Sequence, residues 1–192
     1  MLDEEALYST TDQTTADRIT SDIAKFVPRT ATITDATACA GGNTYSFSQY
    51  FEKVYAFELD QLRARMLRHN MTLLGASNVI VRQGDAFDLC MAQYQDVVFV
   101  DPPWGGPGYK KHSEIDLYMS GKHIAELCEQ IIERRRARFI ALKSPTNFNE
   151  AAFIERVSPF MTLRYKDTQL RKMFFYIFEA AAPEFVTESG LN

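Results

Sequence analysis

Asp101-Pro102-Pro103-Trp104 closes the apolar run Val97-Val98-Phe99-Val100, a pattern that predicts a buried strand ending in a stiff loop. Neither proline can continue a central strand, so the chain must leave the sheet there. With the turn stiffened, the Asp101 carboxylate and the Pro102 carbonyl become fixed acceptors at the strand's carboxyl end. Such a pair suits an aromatic amino group. The exocyclic NH2 of a nucleobase is a poor nucleophile while its lone pair is delocalised into the ring, and two acceptors holding its hydrogens turn that lone pair toward an electrophile. Trp104 would stack on the same base. It is the only tryptophan in the chain, and its place between Pro-Pro and Gly105-Gly106 argues against a core position. The bare tetrapeptide also reads as an ordinary strand-to-loop turn, so the surrounding sequence has to decide.

Upstream, Ile33-Thr34-Asp35-Ala36 reads as a short strand, followed by Thr37-Ala38-Cys39-Ala40-Gly41-Gly42-Asn43-Thr44 and a helical stretch. Small residues at a strand-to-helix turn let backbone amides approach a ligand closely, although two glycines alone are a weak signal. A second strand, Val54 to Phe57, ends in Glu58, where a carboxylate would hold a ribose diol. A third, Val79-Ile80-Val81, leads to Gly84-Asp85-Ala86. Each acid alone is equally a solvated loop charge or a helix cap. Three in order, followed by Asp-Pro-Pro-Trp, favour a nucleoside cofactor site.

The elements needed to position these residues alternate along the chain. Residues 12–26 read as a leading helix, 45–51 as a helix and 61–74 as a longer one, with Leu62, Met66, Leu73 and Leu74 near one face and Arg63, Arg65 and Arg68 solvated. Residues 121–135 predict a helix whose stripe is Ile124, Leu127, Cys128, Ile131 and Ile132. Residues 139–142 form a strand, 149–157 a helix, and 161–165 with 174–178 a closing hairpin. Repeating β-α units imply an α/β fold, a mainly parallel sheet with an antiparallel carboxyl-terminal edge. The pattern reads as one domain over residues 1–192, with about 1–28 a helical lead and about 183–192 a flexible tail.

At 192 residues and 46% apolar content, there is material for one core. No apolar stretch is long enough to span a bilayer and the amino terminus lacks a secretory pattern, so the expectation is an intracellular protein of cytoplasm or nucleus. Cysteines at 39, 90 and 128 follow no metal-ligand or disulfide spacing and read as reduced thiols, with no metal expected. A net charge of −4 argues against coating nucleic acid through a broad positive field, leaving a small substrate or a chain end gripped locally. Lys110-Lys111 follow the reactive loop, where phosphates attached to the base would lie. Arg134-Arg135-Arg136 with Arg138 close a helix and would complement its carboxyl end. His112 and His123 read as surface residues.

The order Asp-Ala-x-x-x-x-Gly-Gly-Asn-Thr at 35–44, the acid at 58, Gly84-Asp85, and Val-Val-Phe-Val-Asp-Pro-Pro-Trp-Gly-Gly-Pro-Gly-Tyr at 97–109 resemble the trimethylguanosine synthase family. The likeness covers roughly residues 14–150, and the compact chain is similar to the short stand-alone forms of large DNA viruses. The resemblance implies a class I, Rossmann-like methyltransferase with a seven-stranded sheet, using S-adenosylmethionine to methylate the N2 amine of a 7-methylguanosine RNA cap. By the same resemblance Asp35, Ala36, Gly41, Gly42, Asn43, Thr44 and Glu58 would hold the methionine and ribose portions of the cofactor, and Asp85 with Ala86 its adenine. Asp101 and Pro102 would orient the amine, while Pro103 and Trp104 would line the base. Lys143, Pro145 and Asn147 lie in a segment matching one of the family's, Lys143 facing the phosphate bridge and Asn147 the base. Independently, a 7-methylguanine ring is cationic, and an indole face attracts a cation as well as a π-surface.

The chain departs from the family at Asp101, where eukaryotic cap enzymes carry serine, at Cys39, where the loop has glycine, and at Thr146, which replaces a basic residue. Cap enzymes also complete the pocket with a helical amino-terminal extension. Here either Leu7, Tyr8 and their neighbours fold over the site or the pocket is more open. Adenine N6 and guanine N2 in structured RNA stay open as acceptors, and a catalytically silent methyltransferase-fold subunit is the rival of another class. The expected partner is a capped RNA or cap-like nucleotide, met by a monomer.

Overall fold

The computed structural model describes residues 10–170 and 172–181. Leu7, Tyr8 and the rest of residues 1–9, and the expected tail at 183–192, lie outside the described residues. A seven-stranded sheet is built from β1 (Thr32–Asp35), β2 (Lys53–Glu58), β3 (Val79–Gln83), β4 (Gln95–Val100), β7 (Ala137–Pro145), β8 (Met161–Asp167) and β9 (Met173–Ala180), in the order β3-β2-β1-β4-β7-β9-β8. A separate two-stranded hairpin, β5 (Tyr118–Met119) and β6 (Lys122–His123), interrupts the series. Neighbours from β3 to β7 are parallel, and β9 runs antiparallel between β7 and β8. The carboxyl-terminal hairpin therefore closes the sheet as expected, with β9 inside and β8 outermost.

Helices cover both faces, which is why the central strands are apolar on both sides. Against one face lie α1 (Gln13–Ile23) and α2 (Gly42–Tyr50), burying Ile19, Ile23 and Phe47 on Ile33, Phe99 and Phe175. Against the other lie α5 (Ile124–Glu133) and α6 (Glu150–Val157), burying Leu127, Ile131 and Phe153 on Val98, Leu142 and Tyr176. Each such fully buried side chain contributes about 1.5–3 kcal/mol. Two further helices, α3 (Gln61–Leu73) and α4 (Ala86–Leu89), follow β2 and β3.

Three local expectations are corrected. In α3 the buried residues are Ala64, Met66, Leu67 and Met71, whereas Leu62, Leu73 and Leu74 are exposed. Asp60 caps the helix by accepting from Arg63 N at 2.8 Å and so sets its phase. The face turned inward meets the glycine turn through Met71 and Leu67: a Cβ on Gly41 would lie 2.5 Å from Met71 Cε. Next, residues 121–123 are not helical. Ser120 and Gly121, with φ of +52° and +74°, turn the β5–β6 hairpin as a two-residue left-handed turn does. Helix α5 begins at Ile124, capped by His123, whose Nδ1 accepts from Ala125 N at 3.1 Å. His123 is thus half-buried in a cap, while His112 is exposed. Finally, Arg134 is the carboxyl cap of α5, and Arg135 N and Arg136 N donate to Ile132 O and Ile131 O, so these three do close the helix, but Arg138 does not belong to that end. Arg138 lies on β7 and pairs with Glu179 of β9 at 2.8 Å.

From β1 the chain passes outward to β2 and β3, whereas β4 lies on its other side. The connections after β1 and β4 leave in opposite directions, opening a crevice at their carboxyl ends. Asp35 and Asp101 border that crevice.

Candidate active site

Asp35 is the last residue of β1 and only 1% exposed. Its Oδ2 accepts from Thr44 Oγ1 at 2.6 Å and its Oδ1 from Thr37 N at 3.2 Å. Burial pushes its carboxyl up from 3.8 to about 7, against the pull of those two hydrogen bonds, and the neighbouring Asp101 and Glu58 carboxylates add to the rise. Three acids thus meet at one edge of the sheet, an arrangement that a cationic ligand would relieve.

The loop between Asp35 and α2 is shaped by close approaches. Gly41 has φ +104°, and a Cβ there would collide with Met71 and with Leu67 Cδ1 at 2.8 Å. At Gly42 a Cβ would lie 2.6 Å from the carbonyl oxygen of Thr11, so residues 10–11 are seated directly on the turn. Cys39 has φ +48°, the left-handed conformation that glycine takes without penalty. This is the physical sense of the glycine expected there. Cys39 N donates to Glu58 Oε2 at 2.9 Å, which holds the turn despite its side chain.

Glu58 ends β2 at 8% exposure. Besides Cys39 N, it accepts Asp60 N on Oε1 at 2.9 Å, and its backbone oxygen accepts Gly84 N at 3.0 Å, joining the ends of β2 and β3. Asp85 caps α4, its Oδ1 accepting from Phe87 N at 2.9 Å, and Ala86 is buried beside it. Both acids are therefore fixed by backbone amides.

Across the crevice, Asp101 N donates to Thr37 Oγ1 at 2.8 Å, so the acceptor tetrapeptide is fastened to the loop after β1. Asp101 Oδ2 accepts from Lys143 Nζ at 2.6 Å, while Oδ1 accepts no hydrogen bond among the described residues. Burial pushes the Asp101 carboxyl up, and the Lys143 ammonium pulls it down. Lys143 also donates to Thr11 Oγ1 at 2.9 Å, and so does Asn43 Nδ2. The sequence reading placed Lys143 toward a phosphate bridge; its side chain is 5% exposed and spent on Asp101 and Thr11.

Pro102 is buried and Pro103 exposed. Trp104 is half-buried and leans on the core cluster beneath α5 and α6, rather than standing clear of the core. It meets the Tyr109 ring edge-on at 5.4 Å, and its Nε1 is buried without a partner. Pro145 ends β7, buried, and Asn147 holds the Trp loop by donating from Nδ2 to Tyr109 O at 3.0 Å and His112 O at 2.9 Å. Asn147 Oδ1 and Asn43 Oδ1 are also buried, and like Trp104 Nε1 they have no hydrogen-bond partner among the described residues. Lys110 and Lys111 are exposed on a short 3-10 turn beyond Gly106.

The sequence-predicted residues therefore converge on one edge. Thr11 and Thr37 were missed, because their signal is tertiary: two threonines, 26 residues apart in the chain, fastened to one ion pair. Among the described residues no group of three His, Cys, Asp or Glu side chains is arranged for a metal, and no helix is long and apolar enough to cross a membrane.

A family model described as RNA cap guanine-N2 methyltransferase matches residues 30–166. A protein of Acanthamoeba polyphaga mimivirus is 33% identical over 131 residues, 67% of this chain and 51% of that protein. The trimethylguanosine synthase of Schizosaccharomyces pombe is 35% identical over 115 residues, 56% of this chain and 47% of that protein. The chain spans about half the length of these curated relatives. An rRNA methylase of Streptococcus thermophilus superposes with a TM-score of 0.59 at 17% identity, covering 88% of this chain and 95% of that one, which marks a shared Rossmann-like methyltransferase fold.

Proposed function

Since the chain belongs to the RNA cap guanine-N2 methyltransferase family, we propose that it transfers methyl groups from S-adenosylmethionine to the N2 amine of 7-methylguanosine at an RNA 5′ end. The observation that carries this reading is the meeting of Asp35, Glu58 and Asp101 with a tryptophan loop across one crevice. The donor set fits a cationic nucleoside cofactor: Asp35 is held toward neutrality by burial beside two other acids, and the buried Asn43 Oδ1 lacks a partner.

In this reading Asp35, Ala36 and the Gly41–Thr44 turn hold the methionyl end, Glu58 the ribose diol, and Asp85 with Ala86 the adenine. When bound, the cofactor supplies an electrophilic methyl group on a sulfonium. The protein's share is orientation of the acceptor amine. Oδ1 of Asp101 and the Pro102 carbonyl would accept the amine hydrogens and aim the nitrogen lone pair, so that the new N–C bond would form as the methyl's bond to sulfur breaks and its electron pair stays on a neutral thioether. The alkylated amine is acidic and sheds its proton to water, so no strong general base is required. Trp104 stacks on the cationic purine, Pro103, Pro145 and Asn147 border it, and Lys110-Lys111 meet the phosphates. The substrate is a capped RNA or cap-like nucleotide, and the 192 residues act as one catalytic unit.

A carboxylate at 101, where cap enzymes carry serine, supports a second reading, transfer to adenine N6. Mass spectrometry decides between them, with 7-methylguanosine-capped dinucleotide, unmethylated cap dinucleotide and adenine-containing DNA as parallel acceptors. Mass added only to the 7-methylated cap is expected; transfer to adenine instead refutes the cap assignment while leaving the amine mechanism intact.

A further inference from the structure

Lys143 stands near the carboxyl end of β7, on the face that α1 and α2 cover, at 4% exposure. A buried ammonium is costly unless it is paired and hydrogen-bonded. Here it is both: one proton goes to Asp101 Oδ2 at 2.6 Å and another to Thr11 Oγ1 at 2.9 Å. Its Nζ also lies 5.5 Å from the centroid of the Trp104 ring. So situated, it does not reach out to a solvent-facing phosphate. Asp101 is gripped twice, at its backbone N by Thr37 and at Oδ2 by Lys143. Thr11, which completes the lysine's shell, accepts from Asn43 as well. Thr37 and Asn43 belong to the same loop after β1, so both grips lead back to the cofactor side of the crevice.

We propose that Lys143 is a positioning residue: its ammonium fixes Oδ2 of Asp101 so that Oδ1 faces the acceptor amine, and the Thr11–Asn43 link couples that ion pair to the cofactor loop. This rests on the reading of Asp101 as the amine's acceptor. The Asp101 carboxylate is close enough to raise that of Asp35, and Lys143 is the counter-charge that meets Asp101. Without that ammonium, a buried carboxylate beside Asp35 is pushed toward taking up a proton, and a protonated Asp101 that turns its hydroxyl to the amine is no longer an acceptor there.

The test compares wild type, K143M, K143R, D101N and D101N/K143M on two acceptors, the capped dinucleotide and the phosphate-free nucleoside 7-methylguanosine. K143M is expected to lower kcat at neutral pH by about tenfold or more on both acceptors, with KM changed less than about threefold. Its acid limb should move to higher pH by about one unit, K143R should keep the limb near wild type, and K143M should add no further loss in the D101N background. A rise in KM confined to the phosphate-bearing acceptor would make Lys143 a phosphate ligand and overturn the proposal; so would an equal loss with and without the Asp101 carboxylate. Carbon-13 NMR titration of Asp101, assigned with D101N, needs no acceptor: a midpoint unchanged by K143M refutes the positioning role, whereas a wild-type enzyme inactive on caps refutes only the cap reading. Should K143M not fold, T11V, which keeps the ion pair and removes one hydrogen bond from the ammonium, is expected to lower kcat on the nucleoside several-fold. Unchanged turnover in T11V overturns the proposal.

Discussion

Replacing Asp35 by asparagine is expected to stabilise the fold at alkaline pH while weakening cofactor binding. Asp35 is 1% exposed and its carboxyl is pushed from 3.8 to about 7, a difference equivalent to about 4 kcal/mol. The folded chain holds a proton between those two values that the unfolded chain has released. Stability therefore falls as pH rises through this window; the penalty is absent below about pH 4 and complete above about pH 7. Asparagine keeps the shape, can accept from Thr37 N and can donate to Thr44 Oγ1, and so stands in for the protonated carboxyl; the pull of the two hydrogen bonds on the carboxylate is already contained in the rise to about 7. The net gain for D35N is then about 4 kcal/mol at pH 8, a rise in melting temperature of roughly 8–16 °C for a chain of this size. Near pH 4 the gain should vanish. The assay is a pair of thermal melts of both proteins at the two pH values, with calorimetric titration of S-adenosylmethionine at pH 8. A melting difference that does not depend on pH, or a D35N protein less stable than wild type at pH 8, refutes the reasoning.

Trp104→Ala should weaken binding of the capped dinucleotide by roughly 5- to 150-fold, the equivalent of about 1–3 kcal/mol of stacking, and leave cofactor affinity nearly intact; equal loss of both by calorimetry would mean that the indole serves only the core it leans on. Gly42→Ala places a Cβ 2.6 Å from Thr11 O, so residues 10–11 must lift and the fold should lose about 1–3 kcal/mol, with turnover falling as Lys143 loses its Thr11 contact. Unchanged melting and turnover would show that this segment is not seated on the turn.

The acceptor loop was legible because its signal is local: an apolar strand, two prolines that must end it, and a tryptophan in a glycine-flanked turn. The acids at 35, 58 and 85 were legible by repetition, each at the carboxyl end of a strand or just beyond it. Helix α3 was legible as a helix but not in its facing. Its leucines and its buried residues Ala64, Leu67 and Met71 both recur at helical spacing, and only contact with the sheet and with the glycine turn selects the second set. The start of α5 was misplaced because Ser120-Gly121 demands a turn that a smooth apolar stripe conceals. The role of Lys143 could not be read at all. Forty-two positions separate it from Asp101, and no acidic residue lies on the strand carrying it, so nothing near it names its partner.

Strand β9 has a consequence for the order in which the molecule is made. It alone joins β8 to the sheet, and it pairs Phe175 with Lys143 and Met173 with Pro145. A ribosome delivers β1, β2 and β4, and with them the cofactor half of the crevice, long before it delivers β9. Until then β7 has no neighbour on its outer side and stays an open template for foreign strands. The lysine on it pairs across that edge with Phe175, so the strand that carries it stays half-supported while the edge is free. The last strand of the sheet thus enters by insertion between two earlier ones, and the acceptor half of the site is expected to mature only after β9 has been synthesised.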